Sequence, residues 1–411
     1  MRIKTIVRVA AAALALILFL VACSQNPVGI FASVERERKI LDDERGLDDD
    51  LNVAAMTEAG GKYFIAAGAL YARDVNDPDY EGGDLAQWSA IDGPGTTNAV
   101  VSADLGSGVR VYALYTGNDG EGVYAVTPNT LEMADTPLLE TGDTVDSIID
   151  IFVVNDGTER LVVSVLESDA LNDYTLYVTS DGSTFTELAN AASTAPWRDA
   201  ASAGTAVAFM SSAGVIVDAN GLASDDLTAK TAPGLTSGDR LTGMIYDDSA
   251  GGSGLLWLAD DGGHIYTSAD LAAGTVWQKS ATHDVSSSND AALPFTDFAL
   301  VPVDATTTNL VVGTRGYGYR VLGDTSTITY ESAPQSPDLV ADGSNYQGSE
   351  LAGAVVQTFY VDPTPRSDYP VPTADGNPYE NFDGYLFFAG TTNQGLWRAL
   401  SYDGAVQWVR E

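Results

Sequence analysis

The feature that most constrains the fold of this 411-residue chain is a strand-rich unit that recurs from about residue 51 onwards. Each copy has an apolar strand, a turn that contains glycine, a second strand that often opens with glycine and an aromatic residue, and a further turn. Most copies start 45–55 residues apart, with one longer interval before the last. The seven copies lie at residues 63–72, 111–126, 161–178, 206–217, 255–267, 310–321 and 386–399.

An apolar strand precedes each copy, although the one near residues 200–204 is weak, and a fourth strand follows most copies. Four strands per unit at this period predict an all-β fold, a seven-bladed β-propeller of four-stranded antiparallel blades. Six or eight blades remain open, and a pair of β-sandwiches is the alternative fold. The regular spacing without a linker favours the propeller. The predicted fourth strands lie at residues 88–91, 185–188, 276–279, 328–331 and 406–410.

The ends of the repeat region predict how the ring closes. The first apolar strand belongs to the first complete unit, and residues 406–410 complete the last one. No strand is therefore expected to be donated across the ring, and the first and last blades should meet through side-chain packing.

The amino-terminal segment has the pattern of an export signal. Arg2, Lys4 and Arg8 precede an apolar stretch of 14 residues that ends at Ala22. That stretch is shorter than the about 20 residues needed to span a bilayer. The sequence Leu-Val-Ala-Cys ending at Cys23 resembles the lipobox of bacterial lipoproteins. The alternative is an ordinary secreted protein with Cys23 near its cleavage site by coincidence.

The lipobox resemblance implies three segments. These are a signal peptide at residues 1–22 that is cleaved, a lipidated cysteine and acidic tether at 23–50, and the propeller at 51–411. Membrane lipid is then a partner through acylated Cys23, and two or more acyl chains give stable anchoring. Ser24 after the cysteine implies the outer membrane or cell surface of the bacterial envelope. Cys23 is the only cysteine in the chain, so no disulfide framework is expected.

The charge of the chain excludes one class of partner. The formal net charge is −37, and cleavage after Ala22 makes it more negative. Such a surface repels nucleic acid, so none is expected as a partner. Solubility explains the charge most simply, with calcium binding or a basic partner as alternatives. His264 and His283 are the only histidines, which argues against the usual zinc or copper site of nitrogen and sulfur ligands. We expect a monomer without a cofactor, calcium being the exception.

Residues 179–185 (TSDGSTF) form a recognisable turn sequence. They resemble the Asp-box of BNR and sialidase-like propellers, one residue shorter than the usual spacing. The resemblance implies that Asp181 bonds turn amides and that Phe185 packs between neighbouring blades. Residues 267–270 with Trp277 resemble a degenerate copy of the motif. Asp403 and Trp408 in the last unit also resemble the turn of quinoprotein-like propellers.

The sequence does not name a reaction. None of the few arginines has the Arg-Ile-Pro context of the sialidase family, and no phosphate-binding glycine loop opens a helix. Carboxylates are so abundant that an acid pair chosen by residue type alone means little. We therefore expect a protein that is not an enzyme, without excluding catalysis.

Residues 77–82 (DPDYEG) mimic the first half of a calcium loop. The bidentate glutamate expected at position 12 is replaced by Trp88, so the segment fails as an EF-hand. Asp77, Asp79 and Glu81 remain candidates for a looser calcium site. A solvated acidic turn is the alternative.

Three connections are longer than the scaffold needs, at residues 73–87, 331–351 and 362–384. In a propeller the first and third of these emerge on the same face of neighbouring blades. They are therefore expected to form one patch. Aromatic and arginine side chains are frequent interface anchors, so we predict a protein- or glycan-binding surface at Tyr80, Arg366, Tyr369 and Tyr379.

Two other interpretations of these connections stay open. The loops could merely cover the closing seam, or ligands could bind at the opposite face, where residues 315–319 and 391–395 turn. Three functions follow from the sequence: an anchored binding or scaffolding module, a glycan-active hydrolase or lyase, and an envelope assembly factor similar to the quinoprotein-type lipoprotein propeller. Converging carboxylates with an arginine in the central channel would favour the enzyme.

Overall fold

The structure, a computed structural model, describes most of the chain from residue 47 onwards. Within residues 320–324, 368–371, 380–382, 400–402 and 405–410, and at 278 and 279, it describes the backbone alone. The described residues are 47, 50–75, 88–117, 120–142, 145–167, 173–222, 227–230, 235, 238–247, 254–268, 277–279, 294–302, 308–316, 318–324, 351, 354–371, 380–402 and 405–410.

The described residues form 29 β-strands in seven antiparallel sheets. Sheet 1 contains β1 (Ala55–Ala59), β2 (Lys62–Ala67), β3 (Ala69–Asp74) and β4 (Ser89–Ile91). Sheet 2 contains β5 (Thr96–Asp104), β6 (Val109–Thr116), β7 (Gly122–Thr127), β8 (Glu132–Met133) and β9 (Leu139–Glu140). Sheet 3 contains β10 (Val145–Asn155), β11 (Glu159–Glu167), β12 (Tyr174–Thr179) and β13 (Thr186–Glu187).

The remaining four sheets follow in chain order. Sheet 4 contains β14 (Trp197–Ala203), β15 (Ala206–Ser211), β16 (Gly214–Asp218) and β17 (Thr228–Lys230). Sheet 5 contains β18 (Leu241–Asp247), β19 (Leu255–Asp260), β20 (Ile265–Ser268) and β21 (Gln278–Lys279). Sheet 6 contains β22 (Phe295–Pro302), β23 (Thr308–Thr314) and β24 (Tyr319–Asp324). Sheet 7 contains β25 (Val356–Val361), β26 (Arg366–Val371), β27 (Glu380–Thr391), β28 (Leu396–Tyr402) and β29 (Ala405–Arg410).

The sheets form a closed ring. The first strand of each sheet contacts the first strand of the next, and β25 of sheet 7 contacts β1 of sheet 1. These first strands therefore line the axis, as in a β-propeller. The predicted all-β propeller of antiparallel blades is confirmed. In the described part of the chain, no helix is long and apolar enough to span a membrane.

The predicted count of seven four-stranded blades is wrong in one respect. Among the described residues, six sheets contain the four strands of a complete blade, and sheet 6 contains three. The strand predicted at 328–331 to complete sheet 6 lies outside the described residues. The strand that appeared weak in the sequence is well formed, since β14 spans Trp197–Ala203.

The core lies between the sheets, because each sheet is covered on both faces. Alternate residues of a strand point to opposite faces, and β11 is buried on both. Leu161, Val163 and Val165 pack towards sheet 2, whereas Val162 packs towards sheet 4. Each of the seven sheet-to-sheet interfaces has an apolar cluster of this kind. The sequence of a middle strand is therefore a nearly continuous run of apolar residues.

The ring closes by packing between sheets 7 and 1, as predicted. Tyr63 of sheet 1 and Phe388 of sheet 7 meet edge to face, with ring centroids 5.0 Å apart. Leu47 is buried in the same cluster, so the compact unit begins there, four residues before the predicted start. The amide of Val53 also donates to the carbonyl of Thr391 across the seam.

The long connection predicted as a loop at 362–384 is instead partly a two-stranded ribbon. The first half of β27 pairs with β26, and its second half continues into sheet 7 beside β25. We call β26 and residues 380–384 of β27 the ribbon. One strand thus belongs both to the blade and to its extension, which gives the ribbon a rigid base.

Truncating Phe388 tests the packing at the seam. Phe388→Ala should lower the free energy of unfolding by about 3–5 kcal/mol, because a fully buried ring is lost and a cavity remains. Urea denaturation measures the change. The matched control is Val109→Ala at a half-exposed site, which should stay within about 0.5 kcal/mol of wild type. A loss for Phe388→Ala as small as the control's would contradict the closure described above.

Candidate functional site

The first candidate site lies at the seam, where three polar side chains meet inside apolar walls. Asp362 follows β25, Arg366 begins β26, and Tyr63 lies in β2 of sheet 1. The hydroxyl of Tyr63 donates to Asp362 Oδ2, and Arg366 Nη2 donates to the same oxygen and, at 3.1 Å, to the Tyr63 hydroxyl. We call these three residues the seam triad. It joins the base of the ribbon to the first sheet.

The environment keeps the Tyr63 hydroxyl protonated. Burial raises the pKa of Tyr63, and its bond to the Asp362 carboxylate raises that pKa further, whereas Arg366 opposes the shift. Burial likewise raises the pKa of the neighbouring Tyr360. Asp362 is itself oriented by the amide of Thr364, which donates to its Oδ1 at 2.8 Å. The triad is thus a neutral phenol bound to an ion pair.

A second arginine extends the triad towards β4. The guanidinium carbon of Arg73 lies 5.5 Å from the ring centre of Tyr63 and 5.3 Å from that of Trp88. Arg73 is the penultimate residue of β3, and Trp88 directly precedes β4. Tyr63 therefore contacts the first residues of both long connections, which were predicted to be neighbours.

Arg366 is the one predicted ligand-binding residue whose side chain the structure describes, and it lies in the seam triad. Tyr369 is described by its backbone alone, which pairs with Phe382 across the ribbon. The other predicted residues lie outside the described part of the chain: Tyr80, Tyr379, the calcium candidates Asp77, Asp79 and Glu81, and the lipidation site Cys23.

The structure reveals a second candidate site that sequence reasoning missed. Asp150, Asp199 and Asp297 lie in the first strands β10, β14 and β22, each beside a break in strand register. The extra residue of a β-bulge re-aims the side chains next to it. We call these three residues the axial carboxylates, since their strands surround the ring axis.

Backbone amides bind the axial carboxylates. Each carboxylate accepts the amide of its own following residue, at 2.8–3.0 Å. Asp199 also accepts the amide of Met244 from sheet 5 at 2.8 Å, and Asp297 that of Phe359 from sheet 7 at 2.9 Å. Two of the three side chains therefore tie one first strand to the next.

Burial sets the ionisation of the axial carboxylates. It raises the pKa of Asp150 to about 7 and that of Asp297 to about 6, with their amide donors opposing the shift. It raises the pKa of Asp199 well above its usual range, and the charges of Asp297 and Asp150 add to that effect. The positive charge of Arg198 acts in the opposite sense on Asp150. Asp150 and Asp297 therefore exchange protons near neutral pH, which is frequent at functional sites.

A cleft opens where β1 and β5 begin. Its volume is about 450 Å³. Its walls include Asp50, Asn52, Gly68, Thr97 and Thr116, so they offer small polar groups and one carboxylate. It lies at the end of the ring that carries the turn between β23 and β24. This is the alternative ligand-binding face named above, and we call it the rival face.

The described residues contain one group with metal-ligating atoms in close proximity. It consists of Asp239, Asp260 and His264, whose ligand atoms lie within 4.8 Å of one another. The group belongs to sheet 5 and to the segment that leads into it.

The turn predicted from its likeness to an Asp-box has the expected geometry. Asp181 Oδ1 accepts the amides of Ser183 and Thr184 at 2.8 Å, and the Thr179 hydroxyl at 3.0 Å. These donors hold the pKa of Asp181 well below its usual range. Phe185 packs against the apolar cluster between sheets 2 and 3. Asp181 is thus a turn residue, as predicted.

No protein-family model matches the sequence, and no curated protein matches it. Solved propeller structures do resemble it. YCF48 from Cyanidioschyzon merolae is 10% identical, with a TM-score of 0.51, over 86% of this chain and 96% of that one. An ancestral GH74 enzyme is 13% identical, with a TM-score of 0.53, over 88% of this chain and 47% of its own. BBS1N, crystallised in complex with ARL6DN, is 11% identical, with a TM-score of 0.50, over 88% and 95%. At these identities the similarity shows the fold alone.

Replacing Asp150 tests the ionisation of the axial carboxylates. Between its ordinary pKa near 4 and its raised pKa of about 7, the folded protein keeps a proton that the unfolded chain releases. This group's contribution to stability therefore falls as the pH rises through that window. Asp150→Asn cannot ionise, so relative to wild type it should gain on the order of 1–2 kcal/mol between pH 5 and pH 8. Denaturant titrations at both values measure the gain.

Asp181→Asn is the matched control, with the opposite sign. The lowered pKa of Asp181 means that its contribution is present above about pH 4 and is lost as the pH falls below that value. Asp181→Asn should therefore be less stable than wild type near neutral pH, and the difference should shrink in acid. If both variants respond to pH in the same direction, the assignment of the axial carboxylates is wrong.

Proposed function

We propose that the mature protein is a lipid-anchored binding module of the bacterial envelope. Residues 1–22 are removed, Cys23 carries the acyl chains, and residues 24–50 connect the anchor to the propeller. Three observations on the leader support this: its basic start, its short apolar stretch and its terminal cysteine. We also propose that residues 328–331 complete sheet 6 as a seventh blade, since the first strands of all seven sheets already close the ring.

The observation that carries the binding proposal is the ribbon. A propeller blade needs four strands, and sheet 7 has them in β25, β27, β28 and β29. The ribbon is additional to this set, and the seam triad holds its base against sheet 1. A rigid element that the scaffold does not need is a suitable platform for recognition. The partner is a protein or glycan of the envelope or the extracellular space.

The placement of Arg366 refines the proposed surface. Its guanidinium bonds Asp362 and Tyr63 within the seam, so it positions the ribbon rather than meeting the partner directly. Contacts with the partner then come from Tyr369 of the ribbon, and from Tyr379 and Tyr80 of the two long connections. A tyrosine offers a large contact area and a polar tip.

Fold neighbours support a binding role and an enzymatic one. BBS1N was crystallised with ARL6DN, whereas the GH74 neighbour is an enzyme. A glycan-active hydrolase is therefore our second candidate, and the axial carboxylates Asp150 and Asp297 specifically favour it because their raised pKa values let them donate or accept protons near neutral pH. Their bonds to backbone amides of the next sheet favour a structural role and keep the binding module first.

The anchor is tested by Cys23→Ser. The wild-type protein should fractionate with membranes and incorporate labelled palmitate. Cys23→Ser should lose the label completely and should keep its full-length leader, because cleavage at a lipobox follows lipidation of the cysteine. Unlabelled wild-type protein cleaved elsewhere would identify an ordinary secreted protein instead.

Shortening the ribbon tests the binding surface. Tyr369 and Phe382 pair directly, so an Asn-Gly turn in place of residues 370–381 closes the hairpin and preserves the seam triad. Crosslinking in the native envelope, followed by pull-down, should lose a partner that wild type captures. Arg315→Ala on the rival face is the matched control and should keep that partner. A folded short-ribbon protein with an unchanged partner set would rule out this surface, and loss in the control alone would move the site to the rival face.

The hydrolase candidate is tested on a panel of envelope and host glycans. If it is correct, wild type should release reducing ends, and Asp150→Asn and Asp199→Asn should reduce the rate at least about 100-fold. Asp261→Asn, a carboxylate on the rim of sheet 5, should remain active. Equal rates in all four proteins, or no release by wild type, would exclude catalysis by the axial carboxylates.

A further inference from the structure

Three metal-ligating side chains converge at one corner of sheet 5. His264 and Asp260 flank the turn between β19 and β20, and Asp239 precedes β18. His264 Nδ1 lies 2.9 Å from Asp260 Oδ2 and 3.7 Å from Asp239 Oδ2. His264 and Asp260 are buried, whereas Asp239 is half-buried. Asp239 is therefore the most accessible of the three side chains.

Hydrogen bonds from the turn orient the Asp260 carboxylate. Its Oδ1 accepts the amides of Gly262 at 3.0 Å and His264 at 2.8 Å. Its Oδ2 faces the imidazole and accepts the Tyr266 hydroxyl at 2.9 Å. Outer partners of this kind fix metal-binding carboxylates in known sites. Oδ1 of Asp260 is thus occupied by backbone amides, whereas Oδ2 lies beside the imidazole of His264.

Gly262 makes room for the third side chain. A Cβ atom at this position would lie only 2.6–3.0 Å from the carboxylate atoms of Asp239. The backbone of Gly262 has no positive φ that would itself require glycine. The absent side chain therefore matters for space, because it lets the Asp239 carboxylate approach the turn and the imidazole.

The spacing of the three atoms suits a single small cation. Around a tetrahedral ion with ligands at about 2.0–2.2 Å, neighbouring ligand atoms lie about 3.3–3.6 Å apart. The two distances from Nδ1 lie on either side of that range, and all three atoms are within 4.8 Å of one another. One imidazole nitrogen with two carboxylate oxygens matches borderline divalent ions better than calcium, which prefers oxygen ligands alone.

We propose that Asp239, Asp260 and His264 bind one divalent transition-metal ion, with zinc as the preferred ion and solvent completing the coordination. The site is independent of the anchor and of the ribbon. The ion would fasten the turn of sheet 5 to the segment that enters β18 from sheet 4. It differs from the nitrogen and sulfur type of site that the histidine count argues against, because a single histidine is enough.

The test uses the protein with Cys23→Ser, which removes the only thiol of the chain. Zinc is titrated by equilibrium dialysis, and cobalt is added separately to record the absorption bands of the bound ion. We expect one zinc ion per chain and a melting temperature that rises with zinc concentration, because an ion that binds only the folded state stabilises it.

Two variants and one matched control decide the assignment. His264→Gln and Asp239→Asn should each weaken zinc binding at least about 100-fold and abolish the rise in melting temperature. His283→Gln removes the only other histidine of the chain and should bind zinc as wild type does. Because Asp239 is half-buried, Asp239→Asn keeps the test valid if His264→Gln does not fold. Zinc binding that is absent from wild type below about 100 μM, or equal in all variants, would overturn the proposal and leave a metal-free hydrogen-bonded group.

Discussion

The structure depends on the burial of each sheet between two neighbours. In β11, Val162 packs towards sheet 4 while Leu161 and Val163 pack towards sheet 2, so neither face is available to water. A sheet with two apolar faces cannot end a stack, and burial of a side chain of this size contributes about 1.5–3 kcal/mol. Closing the ring removes the two ends. The packing of Tyr63 on Phe388 at the seam therefore matters to every sheet.

The same requirement explains where polar groups are found inside the protein. First strands crowd at the axis, and bulges near their starts turn Asp199 and Asp297 towards amides of the next first strand. These bonds tie the ring together where side chains are short, at the cost of burying carboxylates whose pKa values rise. The seam solves a similar problem differently, since Arg366 compensates the charge of Asp362 beside Tyr63. At both places, hydrogen-bond donors accompany the buried carboxylates.

Particular residues show which features of the structure could be predicted from the sequence. The apolar runs and glycine turns predicted the propeller, and residues 179–185 predicted a turn that the structure reproduces at Asp181. The axial carboxylates were missed because a bulge is a property of strand register, and one acidic residue among 57 carries no local signal. The ribbon was predicted as a loop, because residues 362–384 are rich in proline and polar residues. Arg366 lies at the seam beside Tyr63, and its predicted contact with a ligand stays a prediction.

The sequence alone determined the fold class and the closure without an exchanged strand. It also predicted a lipid anchor at Cys23. Each of these depends on short-range patterns, namely alternating burial, turn residues and a leader, which the chain carries without reference to its partners in space. Only the tertiary structure decided which polar side chains meet. Tyr63 and Asp362 are 299 residues apart, and Asp199 and Asp297 come from sheets 4 and 6. The ring brings such residues together by its curvature, which no single segment encodes.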